Sequence, residues 1–336
     1  MTRRGALLGG AAAIVASPAA AQKYPAGTKQ RPVRFAGAAG VELAGTLLLP
    51  LLSELQRVPG VVLVAGSGPT DRDGNNRLVA ARIDLLKQIA ELLAQNGIAS
   101  LRYDKRGVGA STPQPQLLKD QERFWAWDHF VSDVTAAHAE LLRHDEIKAY
   151  ATAFLGHSEG GLLSLAAARA MGKRGPYALV LASTPGLPLI DIVRAQIARN
   201  GPEFSAAAER IMRAIVDDGR VPPDIPRELQ LVFPASAGPF LRSALTFDPA
   251  KAVADLEAAC LLVHGGADTQ VVPMADIQQL IDALARRSQP GEVAVFPGVS
   301  HNLKAVLWPG DPGFAGPIAP AVVAKLAGWM RATLGA

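Results

Sequence analysis

At 336 residues the chain is long enough for one large α/β domain with an insertion, or for two ordinary domains. With 49% hydrophobic and 19% charged residues it is a folding sequence, which excludes an intrinsically disordered protein. The net charge is only +4, without basic runs, and aromatic residues make up 5%, so nucleic acid is not an expected partner.

Residues 1–21 read as an export signal: Arg3 and Arg4 open it, an apolar segment covers 6–16, and Ala19-Ala20-Ala21 precede Gln22. The apolar segment is short and rich in Ala and Gly, so a removable signal is expected rather than a stable membrane span. Thr2-Arg3-Arg4 followed by Leu7 resembles the twin-arginine motif, departing from it at Ala6 and Leu8; the general secretory route is the alternative. The expected location is periplasmic or extracellular after cleavage near Ala21. Cys260 is the only cysteine, which leaves neither a lipid-anchoring cysteine after the signal nor an internal disulfide.

Residues 22–30 are a polar linker. The stretch 33–50 alternates around glycines as a β-hairpin does, and "GVVLVAG" (60–66) has the continuous apolar character of a strand buried on both faces. A helix is expected over 77–95, stopped by Asn96-Gly97, followed by a strand over 98–104 and a helix near 127–143. A strand over 151–156, a helix from about Ser158 and a strand over 177–183 come next. Residues 187–250 break the rhythm, with a Pro-rich stretch and amphipathic helical patterns over 189–200 and 206–218. Strand 259–266, helix 273–286, strand 292–298 and helix 319–334 restore it. Strands alternating with helices imply a mostly parallel central sheet flanked by helices. The core is then 31–186 and 251–336, and 187–250 is a small helical cap inserted between sheet strands.

Gly156-His157-Ser158-Glu159-Gly160 fits G-x-S-x-G, in which a serine sits on a sharp strand-to-helix turn. The alternative is a serine that merely caps a helix. A serine hydroxyl becomes a nucleophile only when a base takes its proton, and the base must be oriented by an acid. His301 is the only histidine beyond residue 268, and Asp268 and His301 each fall just past an expected strand. That is the edge where open parallel sheets build their sites. Taken singly, Asp268 also reads as a turn former and His301 as a surface-loop histidine.

Oxyanion stabilisation needs preorganised N–H donors. The amides of Glu159 and of Ser67, in the loop after the first buried strand, are the candidates. That loop lacks both the P-loop lysine and the G-x-G-x-x-G spacing, so phosphate cradling is not expected. His129, His138 and His144 read as surface residues, His157 as pointing elsewhere on the turn, and His264 as structural. None has metal-ligand spacing, so neither a catalytic metal nor a cofactor is expected. Asp71, Arg72 and Asp73 either bind substrate or, the favoured reading, pair with Arg102, Lys105 and Arg106 to fasten two loops. Trp125, Phe233 and Phe240, with Trp127, Leu231 and Phe247, either line an acyl pocket or form the cap's own core.

Taken together, "GSGPTDRDGN" (66–75), "LRYDKRGVGAS" (101–111), "GHSEGG" (156–161), "LLVHGGAD" (261–268) and "FPGVSHNL" (296–303) resemble the α/β-hydrolase superfamily. Within it they resemble the cap-bearing serine esterases and aminopeptidase-like hydrolases, over roughly residues 31–335. The resemblance implies the α/β-hydrolase fold, with Ser158 as nucleophile, Asp268 as acid and His301 as base. It also implies a small-molecule substrate, a carboxylic ester of short to medium acyl chain cleaved through an acyl-enzyme. Ala65 stands where many relatives carry His. A peptidase, amidase or thioesterase on the same fold is the nearest alternative, and a non-catalytic binding protein on a hydrolase scaffold is the more distant one.

Overall fold

Strand β3 (Val58–Val64) is buried along its whole length, and its side chains divide between two cores. Val61 and Leu63 face one side of the sheet and Val62 and Val64 the other, as the two-residue repeat of a strand requires. Burying each such side chain stabilises the fold by roughly 1.5–3 kcal/mol, so a continuous apolar run belongs at the centre of a two-sided sheet.

A computed structural model describes residues 27–51 and 56–336; the expected export signal lies outside the described residues. Eight strands form one sheet: β1 (Thr28–Ala36), β2 (Glu42–Pro50), β3, β4 (Ala99–Tyr103), β5 (Ile147–His157), β6 (Ala178–Ala182), β7 (Ala259–Gly265) and β8 (Glu292–Phe296). Their spatial order is β1-β2-β4-β3-β5-β6-β7-β8. β2 runs antiparallel to β1 and β4, and every other neighbouring pair is parallel. β1 begins at Thr28, so its first residues come from the stretch read as linker.

The helices are α1 (Leu85–Gln95), α2 (Gln121–Phe124), α3 (Trp127–Leu142), α4 (Glu159–Met171), α5 (Leu189–Asn200), α6 (Ser205–Asp218), α7 (Gly238–Thr246), α8 (Pro249–Ala254), α9 (Gln278–Arg286) and α10 (Pro320–Leu334). α1 and α10 cover one face through residues such as Ile89, Leu93, Leu326 and Met330. α3, α4, α8 and α9 cover the other through Val134, Leu163, Val253 and Leu280. Between β6 and β7, helices α5 to α7 gather their own core around Ile211, Ile215, Phe233 and Leu245. α8, next in the chain, returns to the main core.

Two helices are shorter than their patterns suggest. α1 starts at Leu85 because Asn75 claims the preceding backbone: its Oδ1 accepts the N–H groups of Ile83 (2.8 Å) and Asp84 (3.0 Å). Asp84 itself sits at φ +50°, outside helical geometry. α9 starts at Gln278 because Met274, at φ +64°, breaks the turn that begins at Pro273.

Candidate active site

β5 hands over to α4 through one residue, Ser158, at φ 55° and ψ −123°. Such a conformation costs about 1–3 kcal/mol in a non-glycine residue and persists only where its surroundings impose it. Here they do. A Cβ on Gly156 would lie 2.2 Å from the Gly160 carbonyl oxygen, and one on Gly160 would lie 2.3 Å from that of Val64. The glycines flanking Ser158 are therefore demanded by backbone packed against backbone, and the Ser158 N–H is anchored on Ala182 O at 2.8 Å.

Asp268 follows β7 and is buried. Its Oδ1 accepts the N–H groups of Gln270 (2.8 Å) and Val271 (3.0 Å), and its Oδ2 accepts His301 Nδ1–H at 2.7 Å. Burial pushes this carboxyl up, but the hydrogen bond and charge of His301, with the Val271 amide, outweigh it and hold it below the ordinary carboxylate range. An imidazole whose Nδ1–H is committed to a carboxylate presents Nε2 as a proton acceptor.

Two further histidines fasten these loops. His157 Nε2–H donates to the carbonyl of His301 at 2.9 Å, with ring centroids 4.8 Å apart. Burial, reinforced by neighbouring His301, pushes His157 down to about 3, so it stays neutral. This corrects the expectation that His157 points away from the site. His264 Nε2–H donates to Val271 O at 2.9 Å and lies 3.5 Å from Asp268 Oδ2, in keeping with a structural role.

The loop after β3 closes over the turn. A Cβ on Gly66 would lie 3.4 Å from Ser158 Cβ, which sets the next residue, Ser67, beside the serine. Neither the Ser67 N–H nor the Glu159 N–H has a protein acceptor among the described residues. Ser67, Ser158 and His301 line one cavity of about 170 Å³, with Thr70, Asn76 and Phe314 on its walls.

The charged loops are tied by ion pairs. Arg72 grips Asp104 through Nε and NH2 (3.0 and 2.6 Å), Arg102 pairs with Asp73 (3.0 Å), and Arg106 grips Asp133 through Nε and NH2 (2.8 Å each). Lys105 donates to Glu159 Oε1 (2.8 Å) and to Gly66 O (3.0 Å). Of the pairings expected within this cluster, only that between Asp73 and Arg102 forms. Arg72, Lys105 and Arg106 find partners outside it.

Trp125, Phe233 and Phe240 do not line the Ser158 cavity. Phe233, 1% exposed, is a core residue of the inserted helices. Trp125 stacks on Phe130 at 6.3 Å, and Phe240 packs on Trp127 and Phe130 at 5.5 Å. Their aromatic cluster joins α7 to α3, so the apolar pattern served packing. Phe314 is a cavity residue that sequence reasoning missed; Asn76 lies in the loop 62–76 it singled out, and it gives His157 and Lys105 other roles.

Among the described residues no group of three or more His, Cys, Asp or Glu side chains is arranged to hold a metal ion, and no helix is long and apolar enough to cross a membrane.

The sequence profile of the alpha/beta hydrolase family matches residues 61–312. Esterase EstD of Thermotoga maritima is 30% identical over 255 residues, covering 72% of this chain and 54% of that protein. The chain thus spans about half the length of the curated relative it matches. Among solved structures, the Pyrococcus furiosus esterase Pf2001 aligns with a TM-score of 0.58 at 15% identity, over 91% of this chain and 92% of that one. Est1E from Butyrivibrio proteoclasticus aligns with a TM-score of 0.58 at 17% identity, over 91% and 99%. A puromycin-hydrolyzing peptidase of Mycobacterium tuberculosis aligns with a TM-score of 0.61 at 20% identity, over 92% of this chain and 40% of that one. At these identities the structural likenesses speak to the fold alone.

Proposed function

The chain belongs to the alpha/beta hydrolase family, and on that premise we propose that it is an exported serine hydrolase of carboxylic esters with short acyl groups. The observation that carries this reading is the 2.7 Å contact between buried Asp268 and His301, which lines the cavity together with Ser158 at its positive-φ turn.

His301 Nε2 takes the Ser158 proton as Oγ attacks the ester carbonyl, while Asp268 holds the imidazole and stabilises the imidazolium. The carbonyl π electrons move to oxygen, and that oxyanion is held by the N–H groups of Ser67 and Glu159. Collapse re-forms the carbonyl, breaks the bond to the alcohol and sends the His301 proton to the leaving oxygen. Water, deprotonated by the same imidazole, then attacks the acyl carbonyl; collapse breaks its bond to Ser158 Oγ, which takes the proton back from His301, and the acid leaves. Because Glu159 opens α4, its amide also presents the positive end of a helix to the developing charge.

A cavity of about 170 Å³ is smaller than the roughly 300 Å³ at which drug-sized sites begin, which favours short acyl groups. The similarity to Esterase EstD supports the choice of an ester over an amide. The test uses nitrophenyl esters of increasing chain length beside an aminoacyl anilide, with wild type and Ser158→Ala. Strong ester turnover that vanishes in Ser158→Ala and peaks at short chains is the expected result. Faster anilide cleavage would replace the reading with a peptidase or amidase, and unchanged turnover in Ser158→Ala would remove the serine mechanism.

A further inference from the structure

An ammonium group has three donors, and inside a protein each must be placed. Lys105 is 6% exposed, and its Nζ reaches two acceptors, one on the loop after β3 and one on the first residue of α4. One is Gly66 O at 3.0 Å, the carbonyl of the peptide whose N–H is that of Ser67. The other is Glu159 Oε1 at 2.8 Å, on the residue next to Ser158, whose own N–H has no protein acceptor among the described residues. The remaining side of the ammonium lies 5.1 Å from the centre of the Phe130 ring, a cation–π contact that holds it without competing for either oxygen.

The consequence follows from peptide planarity. Gly66 O and the Ser67 N–H are opposite ends of one rigid unit, so fixing the oxygen fixes the direction of the hydrogen. On the other side, gripping the Glu159 carboxylate fixes the first residue of α4 against the loop after β3. We propose that Lys105 is a positioning residue that sets the spacing between the two N–H donors of the oxyanion site, acting through Gly66 and Glu159 rather than on substrate. The proposal rests on the serine hydrolase reading. It adds to that reading a buried cation 54 residues away from Glu159 in sequence, on the loop after β4.

Because the oxyanion exists only after attack, a displaced donor should slow the chemical step and leave ground-state binding alone. The experiment compares wild type, Lys105→Met, Glu159→Gln and the double variant Lys105→Met/Glu159→Gln. The readouts are kcat and KM on nitrophenyl acetate and butyrate, and the rate of labelling by a fluorophosphonate. Lys105→Met leaves a carboxylate unpaired and can fail to fold. The double variant removes both charges, which buried pairs tolerate far better than the loss of one partner. Since loss of a whole oxyanion donor costs about 100- to 1000-fold in kcat, misplacing the donors should cost roughly 10- to 100-fold, with KM within about threefold.

That loss in the double variant, with labelling slowed in parallel, supports the proposal. A folded double variant with kcat within about threefold of wild type overturns it and leaves Lys105 as a packing residue. A rise in kcat in Glu159→Gln also overturns it, because the Lys105 charge rather than its tether would then be what matters. Wild-type protein that neither cleaves esters nor reacts with fluorophosphonate would remove the hydrolase reading and this proposal with it. Wild type and double variant labelling equally fast would remove only the proposal.

Discussion

His157 Nε2–H is bonded to the backbone carbonyl of His301 at 2.9 Å, although 144 residues separate the two. The residue before the serine thus holds the loop that presents the imidazole. Replacing His157 with Phe keeps a ring and removes the donor, orphaning a buried carbonyl at a cost of roughly 1–3 kcal/mol. We expect kcat/KM on nitrophenyl acetate to fall by about tenfold or more, and His157→Gln, which can still donate, to recover part of it. Equal activity in all three proteins would show that the loop does not need this bond.

Asp268→Asn should be more severe in rate and milder in stability. Its Oδ1 can still accept the amides of Gln270 and Val271, but an NH₂ group facing His301 Nδ1 favours the tautomer with the proton on Nε2. That imidazole cannot take the Ser158 proton. Loss of kcat by about 10³- to 10⁴-fold is expected at neutral pH, with a melting temperature within a few degrees of wild type. Retention of more than a tenth of the activity would mean that Asp268 is not the orienting acid.

Acid stability should depend on His138. It is buried on the inner face of α3, its Nε2 lies 2.9 Å from Thr152 Oγ1, and burial pushes it down to about 4 from the ordinary 6.5. The unfolded chain therefore binds a proton that the folded chain refuses. The stabilisation is fully present above about pH 6.5 and is lost as pH falls toward 4, with a limiting slope of about 1.4 kcal/mol per pH unit. Denaturant unfolding of wild type and His138→Gln from pH 4 to 7 should show a shallower decline in the variant. Parallel curves would contradict a neutral, buried His138.

Gly160 and Gly328 form a contrasting pair. A Cβ on Gly160 meets Val64 O at 2.3 Å, whereas one on Gly328, within α10, meets nothing within 4 Å. Gly160→Ala should abolish activity and destabilise by more than about 2 kcal/mol, because only backbone can move to relieve the clash. Gly328→Ala should stabilise by about 0.5–1 kcal/mol. Thermal melts of both variants check this, and the signs should be opposite.

The proposed export makes its own prediction. Mature protein recovered outside the cytoplasm should begin at Gln22, and Arg3→Lys/Arg4→Lys should hold the precursor inside the cell. N-terminal sequencing of fractionated cells checks both, and a mature start well beyond Gln22 would displace the cleavage site.

The sheet was legible because burial on two faces leaves unbroken apolar runs, and β3, β5 and β7 carry them. Ser158 and Asp268 could be picked out because each sits just past such a run, and His301 because it is the only histidine beyond residue 268 and follows an expected strand. What remained hidden depended on contacts without a sequence period. Asn75 stops the helix that 77–84 would otherwise extend, through bonds to Ile83 and Asp84 that hydrophobic spacing cannot express. Phe233 and Phe240 read the same in sequence whether they face a ligand or pack into a core. Only the packing decides, and it decides for the core: Phe240 on α3 and Phe233 among the inserted helices.

The order of the strands also governs when the chain becomes reactive. Ser158 is delivered by β5, but His301 follows β8, which among the described residues pairs with β7 alone at the edge of the sheet. A chain growing from the ribosome therefore displays its serine long before the imidazole is translated, and the glycine-lined turn waits without a base. On the proposed mechanism the hydroxyl remains an ordinary alcohol until β8 docks and brings in His301, so a chain truncated before residue 301 would lack its base.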